Sequence, residues 1–296
     1  MSRWRAICPA KLNLGLHVVG RRRDGYHEIV TIFQAIDLCD VLEGEAAGTL
    51  TLEVSAPSIP TDETNLVVKA ARLLQDHCPS ARGQGARLRL DKAIPVGAGL
   101  GGGSSDAAGA LVLLNELWGL HLESSVLLAL AAELGSDVPF FLSGGTALGT
   151  GRGESIEPLP PIADRMVLLG SPPFGLRTPE VYRALDAPLT ALRANVTVPR
   201  LFVKFAKGND FALASNDLEA VAFRLRGELV IFRDAVSRSG AEVALVSGSG
   251  STVFGLFRTG TDVSSKAEML RGEFPGWTLQ VCKTIASGVR IVPAVE

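Results

Sequence analysis

Apolar and polar positions alternate through residues 11–19, KLNLGLHVV, with Leu12, Leu14, Leu16 and Val18 on one side and Lys11, Asn13, Gly15 and His17 on the other. A period of two is that of a β-strand with one buried face, so Lys11 and Asn13 share the other face. Strand-like segments continue in IVTIFQAIDL (29–38) and TLTLEV (49–54), and Asp24-Gly25 signals a turn ahead of the first of them. The period then lengthens. From Thr64, TNLVVKAARLLQDH begins on a capping residue and places Leu66, Ala70, Leu73 and Leu74 at helical spacing, before ARLRLDKAI (86–94) returns to a strand. Ser104, Ser105 and Asp106 are helix-starting residues. After them Ala107, Ala110, Leu111, Leu114, Leu117 and Trp118 recur at steps of three and four until Gly119. A second helix, SSVLLALAAEL (124–134), stops at Gly135.

Gly144, Gly145, Gly149, Gly151 and Gly153 punctuate a hairpin-like stretch, and EPLPPIAD (157–164) reads as a linker. Beyond it the pattern predicts a strand in MVLLGSPP, a short helix from Thr178 to Leu185 and one or two helices over 216–238. A hairpin follows in EVALVSGSGSTVFGLF, then a helix in SSKAEMLRGEF and a strand in TLQVCKTI. The expectation is an α+β chain in two domains, 1–157 and 158–296.

With 296 residues, 47% of them hydrophobic and 20% charged, the chain can bury a full core. A formal net charge of −2 gives no positive field for nucleic acid, so a partner is recognised locally. Cys8, Cys39, Cys78 and Cys282 stand far apart, without metal-ligand spacing, and read as reduced thiols. MSRWRAICPAK lacks an apolar leader and the longest purely apolar run, VLLALAA, is too short to span a bilayer; a soluble cytoplasmic protein without a membrane partner is expected. The expected assembly is a monomer or weak homodimer.

One stretch carries chemistry. AIPVGAGLGGGSSDAAGALVLLNELW (93–118) holds five glycines in the seven positions 97–103 and runs directly into a helix. Gly97, Gly99 and Gly102 satisfy G-x-G-x-x-G, but a helix follows where a dinucleotide fold needs a second parallel strand. No lysine lies between Pro95 and Trp118, against a P-loop, and G-x-S-x-G does not occur, against a serine hydrolase of that type. What remains is a run of unobstructed backbone N–H groups leading into a helix N-terminus that bears about half a positive charge, which is a phosphate cradle.

PVGAGLGGGSSDAA (95–108) resembles the ATP loop of the GHMP kinases, the superfamily of galactokinase, homoserine kinase and mevalonate kinase. CPAKLNLGLHVVGRRRDGYHE (8–28), GSDVPFF (135–141) and VSGSGSTVF (246–254) follow the family's order and resemble the branch whose substrate carries a cytidine diphosphate. The resemblance implies a two-domain α+β fold with the active site in the interdomain cleft, ATP as phosphate donor, Mg²⁺ bridging ATP oxygens, and a small-molecule hydroxyl as acceptor. It implies that Asp137 accepts the hydroxyl proton, with Lys11 beside it to offset charge in the transition state and Asn13 as a hydrogen-bonding neighbour of the substrate. ATP falls to Pro95, Val96, Gly97, Ala98, Gly99, Leu100, Gly101, Gly102, Gly103, Ser104 and Ser105, the serines donating to phosphate oxygens or helping to hold Mg²⁺. Asn65, most simply a helix N-cap, matches a position at the adenine. Tyr26 would stack on the cytosine with Tyr182 on its other side, His27 would hydrogen-bond the base, and Thr178 would add a polar contact. Gly248 to Thr252 would close the substrate end. Two alternatives stand beside this one. A GHMP kinase of homoserine or mevalonate type is disfavoured by RRRDGYHE, and a nucleotide-binding module without catalysis by the presence of both Lys11 and Asp137.

Overall fold

The computed structural model describes residues 3–162, 164–185, 211 and 214–294. Its frame is one long hairpin, β1 (Arg3–Arg21) and β2 (His27–Ala47), turned where the Asp24 carboxylate accepts from the Tyr26 N–H. β2 is long enough to serve two partners in succession. Residues Thr31–Gln34 pair with β5 (Thr146–Thr150), and residues Val41–Ala47 pair with β4 (Gly85–Asp91). β3 (Thr51–Val54) lies parallel to β4 and reaches it through α1 (Leu66–His77). With β6 (Ser155–Pro158) beside β5 and β11 (Arg290–Pro293) beside β1, the sheet has seven strands. Its edge strand β11 therefore comes from beyond residue 157, near the other end of the chain.

One face of this sheet is covered by α1, α2 (Gly102–Leu117), α3 (Ser124–Leu134) and α4 (Val138–Ser143), with Val67, Leu74, Leu111, Leu114, Leu130 and Phe140 packed on Cys8, Phe33, Leu42 and Leu88. The other face meets a second, fully antiparallel sheet in the order β10 (Thr278–Lys283), β7 (Arg165–Ser171), β9 (Val253–Arg258), β8 (Val243–Val246). Leu12, Leu14, Ile32 and Ile36 pack there against Val167, Leu169, Phe254 and Leu256. Behind the second sheet lie α5 (Thr178–Arg183), α6 (Glu219–Leu225), α7 (Glu228–Arg238) and α8 (Val263–Glu273), held by Val181, Val221, Phe232 and Leu270 against Leu168, Phe257 and Leu279. This is the α+β architecture that the pattern predicts.

Two details differ from the sequence reading. Alternation in KLNLGLHVV predicts one wet face, yet Lys11 and Asn13 are buried as completely as Leu12 and Leu14, because helices cover one side and a sheet the other. The pairing of β1 with β2 is irregular between Pro9 and Ala10. Across that irregularity the facing reverses: Ala6 and Cys8 belong to the helix-side core, whereas Ala10, Leu12 and Leu14 belong to the core between the sheets. Lys11 and Asn13 are thus turned to the helix side, the consequence a bulge has for strand register. The second difference is the start of α2. It begins at Gly102, two residues before the serines, and no side chain caps it. Its first N–H groups are left for another partner.

Candidate active site

A cleft of about 1280 Å³ opens where the hairpin, the glycine loop, the start of α4 and α5 converge. Its floor is a pair of glycine loops fastened to each other. The Thr252 N–H donates to the Ala98 carbonyl at 3.1 Å and the Ser247 hydroxyl to the Gly99 carbonyl at 2.9 Å, while the Lys11 N–H holds the Leu100 carbonyl at 3.0 Å. Two positions require glycine. Gly99 has φ 79° and a Cβ there would overlap the Ser247 carbonyl. Gly101 has φ 74° and its Cβ would lie 2.7 Å from the Phe141 ring and 3.1 Å from Cγ of Lys11. The second loop is anchored from behind by Asn216, whose amide donates to the Val246 and Gly248 carbonyls.

Of the expected nucleotide contacts, Pro95, Val96, Gly97, Ala98, Gly99, Gly101, Gly102, Gly103, Ser104 and Asn65 line the cleft. Leu100 and Ser105 do not. Leu100 is fully buried in the core between the sheets, and Ser105 is fully buried with an unpartnered hydroxyl, because an α2 that starts at Gly102 turns its fourth residue inward. Asn65 caps α1, accepting from Val67 N–H at 2.9 Å and donating to the Pro60 carbonyl at 2.7 Å. Its amide therefore fixes the wall formed by Ile59, Pro60 and Leu66.

Lys11 and Asp137 are brought together from residues 126 apart in the chain: Nζ lies 3.4 Å from Oδ2 of Asp137 and 2.6 Å from Oδ1 of Asn13. Asn13 in turn donates to Thr31, whose hydroxyl donates to the Gly15 carbonyl, so its orientation is set within the hairpin. Asp137 occupies the N-cap position of α4 without using its side chain as a cap. Lys11 is buried and Asp137 is 29% exposed toward the cleft, so the carboxylate can be reached and the ammonium cannot leave.

At the far end of the cleft His27 and Tyr182 stack face to face, 5.0 Å between centroids at 26°. Burial and the neighbouring Arg21 hold the His27 imidazole below its usual pKa, while burial and Asp137 push the Tyr182 phenol up. Tyr26 is 58% exposed at the hairpin tip, with the Arg152 guanidinium 5.0 Å over its ring. The ring set against Tyr182 is thus His27, because Tyr26 and His27 are adjacent on a turn and point apart. Thr178 lines the same end with its hydroxyl 2.8 Å from that of Ser249.

Several lining residues escaped the sequence reading. Arg152 lines the cleft along with Asp137, its guanidinium over the Tyr26 ring and paired with Glu154. Lys92 sits between Asp40 and Asp106, 2.6 Å from the latter. Burial, helped by the Asp40 carboxylate and opposed by Lys92, pushes Asp106 up to about 7. A charged residue just before a glycine run was the available signal for Lys92; Asp106 was read as a helix start.

Residues 65–145 match the GHMP kinases N terminal domain and residues 202–276 the GHMP kinases C terminal domain. The chain is 46% identical over 256 residues to the 4-diphosphocytidyl-2-C-methyl-D-erythritol kinase of Pelotomaculum thermopropionicum, covering 85% of this chain and 88% of the relative. It is 39% identical to the kinase of that name from Synechococcus sp., covering 97% and 96%. A crystal structure of 4-(cytidine 5'-diphospho)-2C-methyl-D-erythritol kinase superposes with a TM-score of 0.76 at 36% identity, over 95% of this chain and 98% of that one. A homoserine kinase from Cytophaga hutchinsonii gives 0.77 at 20% identity over 99% and 98%, a likeness of fold.

Proposed function

The chain belongs to the 4-diphosphocytidyl-2-C-methyl-D-erythritol kinases of the GHMP family, and we infer that it transfers the γ-phosphate of ATP to the 2-hydroxyl of 4-diphosphocytidyl-2-C-methyl-D-erythritol in the non-mevalonate route to isoprenoid precursors. The observation that carries the chemistry is the Lys11–Asp137 pair, set at the edge of an uncapped glycine-rich helix start in one cleft.

ATP phosphates lie along the backbone of residues 97–104, where uncapped N–H groups and the α2 dipole favour anions. The adenine rests against Ile59, Leu66, Pro95 and Val96. Asp137, reachable and not engaged as a cap, takes the proton of the attacking hydroxyl. Lys11, buried and pinned by Asn13, offsets negative charge as the phosphoryl group passes between oxygens. His27 and Tyr182 receive the cytosine, and Arg152, over the Tyr26 ring in the same cleft, would meet the diphosphate that joins the base to the reacting alcohol. Thr178 and Ser249 add hydroxyls at this end.

Among the described residues no group of three or more His, Cys, Asp or Glu side chains is placed to hold a metal. Mg²⁺ keeps phosphate and water ligands and needs few from protein; Ser104, in the cleft wall, would hold it through its hydroxyl or a water. When bound, Mg²⁺ would neutralise negative charge on the ATP phosphates. No helix among the described residues is long and apolar enough to cross a membrane. The test is ATP-dependent ADP release with four acceptors: the cytidine diphosphate substrate, homoserine, mevalonate and galactose. Turnover with the first alone is expected, and turnover with any other in its place overturns the assignment.

A further inference from the structure

The glycine loop has two feet, and a buried ion pair ties them together. At the first foot the chain leaves β4, and the Asp40 carboxylate on β2 accepts from the Ala93 and Ile94 N–H groups at 2.6 and 2.8 Å. The other Asp40 oxygen is bonded to Lys92. The same ammonium reaches 2.6 Å to Oδ2 of Asp106, in the opening turns of α2, the second foot. All three side chains are nearly sealed from water, at 6%, 0% and 4% exposure for Lys92, Asp40 and Asp106. Gly102, where α2 begins, lies against the first foot: a Cβ there would lie 3.0 Å from Ile94 and 3.2 Å from Nζ of Lys92.

Between the feet, residues 98–100 are fastened toward the second glycine loop and the hairpin, and the Gly101 carbonyl accepts from Ser105 N–H of α2. The spacing of the feet therefore sets how the loop arches and where its N–H groups point. Packing alone does not demand charges here. Buried ion pairs are exchangeable for apolar side chains at little cost in stability. What an ion pair supplies is direction, since one ammonium must satisfy two carboxylates on separate elements.

We propose that Lys92 is a positioning residue for the nucleotide, joining Asp40 to Asp106 so that the two feet of the glycine loop hold the spacing at which its backbone grips ATP phosphates. The proposal rests on the reading of residues 95–104 as the ATP loop. It assigns Lys92 no contact with the reacting atoms.

The variant pair Lys92→Met with Asp106→Asn separates positioning from mere charge. It removes one positive and one negative charge, so the net charge of the cluster is unchanged, and it keeps the side-chain volumes. Calorimetry on the full chain should show ATP binding weakened by about 10- to 100-fold, the worth of a charge-assisted bond or two. kcat at saturating ATP and KM for the cytidine substrate should stay within about 3-fold, the scatter of substitutions that touch neither. Asp106→Asn alone retains an oxygen for Lys92 and should bind ATP within about 3-fold of wild type. Equal ATP affinity in the double variant, whatever its melting temperature, overturns the proposal, as does Asp106→Asn binding as weakly as the double variant. If the wild-type chain itself fails to bind ATP, the loop reading has failed instead, which the same titration distinguishes.

Discussion

The two ends of the cleft are made from different materials. At the end proposed for the nucleotide the surface is backbone: Gly99 and Gly101, whose neighbours leave no room for a side chain, an uncapped helix start and a loop hydrogen-bonded to a second loop. At the end proposed for the cytidine the surface is side chains, His27, Tyr182, Tyr26 and Arg152, carried by a hairpin tip, a six-residue helix and a turn. Phosphate is common to every substrate of a kinase fold, and backbone N–H groups recognise it without regard to what is attached. A base needs rings and edges at fixed places, which only side chains provide. The fold likeness to a homoserine kinase at 20% identity fits this division. An architecture can keep the backbone end and change the side chains at the other, which is why fold alone does not identify a substrate.

The comparison breaks first at its midpoint, Asp137, where the proposed mechanism joins the two ends. Asp137→Asn keeps the size and the α4 junction, and kcat should fall by roughly 10² to 10⁴, the usual contribution of a positioned base. Affinity for ATP and for the cytidine substrate should barely move. Near wild-type turnover in the folded variant removes Asp137 from the mechanism. At the backbone end, Gly101→Val forces a β-branched residue to φ 74° and drives its side chain into Phe141 and Lys11. Strain of about 1 to 3 kcal/mol predicts ATP affinity lowered about 5- to 150-fold. Unchanged affinity by calorimetry would make the loop a structural turn.

The backbone end was also the more legible in the sequence. Glycine spacing before a helical run announces a phosphate loop, because the chemistry needs the absence of side chains and the sequence displays that absence directly. The helix starts two residues ahead of the serines that sequence favours as caps, because the glycines before them are poor helix formers by composition yet open α2 without a side-chain cap. Lys11 and Asp137 were named from motif likeness, and alternation placed Lys11 on a wet face. Its burial depends on α4 and the second glycine loop, packed on it from distant parts of the chain. Burial of that kind is a tertiary fact. The same holds for Lys92, whose partners Asp40 and Asp106 lie 52 and 14 residues away. Stacking of His27 on Tyr182 was hidden for a simpler reason. Adjacent residues in a turn point in different directions, and the sequence of DGYHE does not say which ring faces inward.

At the side-chain end the expected losses belong to one substrate only. Tyr182→Ala removes a ring face, and base stacking of about 1 to 3 kcal/mol predicts a rise of about 5- to 150-fold in KM for the cytidine substrate. Tyr182→Phe keeps the face and should change KM by less than about 3-fold, a hydroxyl without a required partner contributing little. ATP KM should be the same in both. If ATP and the cytidine substrate suffer equally in Tyr182→Ala, the two ends are not separate, and the contrast between them fails.

The smallest effect is the one that pH exerts on His27. Burial against Tyr182 and the positive charge of Arg21 both favour the neutral imidazole, so its pKa in the folded chain lies below the value of about 6.5 expected when unfolded. Between those two values the unfolded chain binds the extra proton and the folded chain does not. The contribution of a neutral His27 is therefore complete above about pH 6.5 and is lost as pH falls through the folded pKa. His27→Gln has no such proton to take up. Melting temperatures of the two chains followed from pH 7.5 to pH 5 should diverge, wild type falling further, by less than about 2 °C because the ring is only partly buried and the chain is large. The same protonation sets an imidazolium beside Arg21 at the place the cytosine would occupy, so KM for the cytidine substrate should rise over this window in wild type and stay flatter in His27→Gln. Parallel curves for both chains would mean that His27 is not the group that titrates, and that the ring on Tyr182 serves as packing rather than as part of the base site.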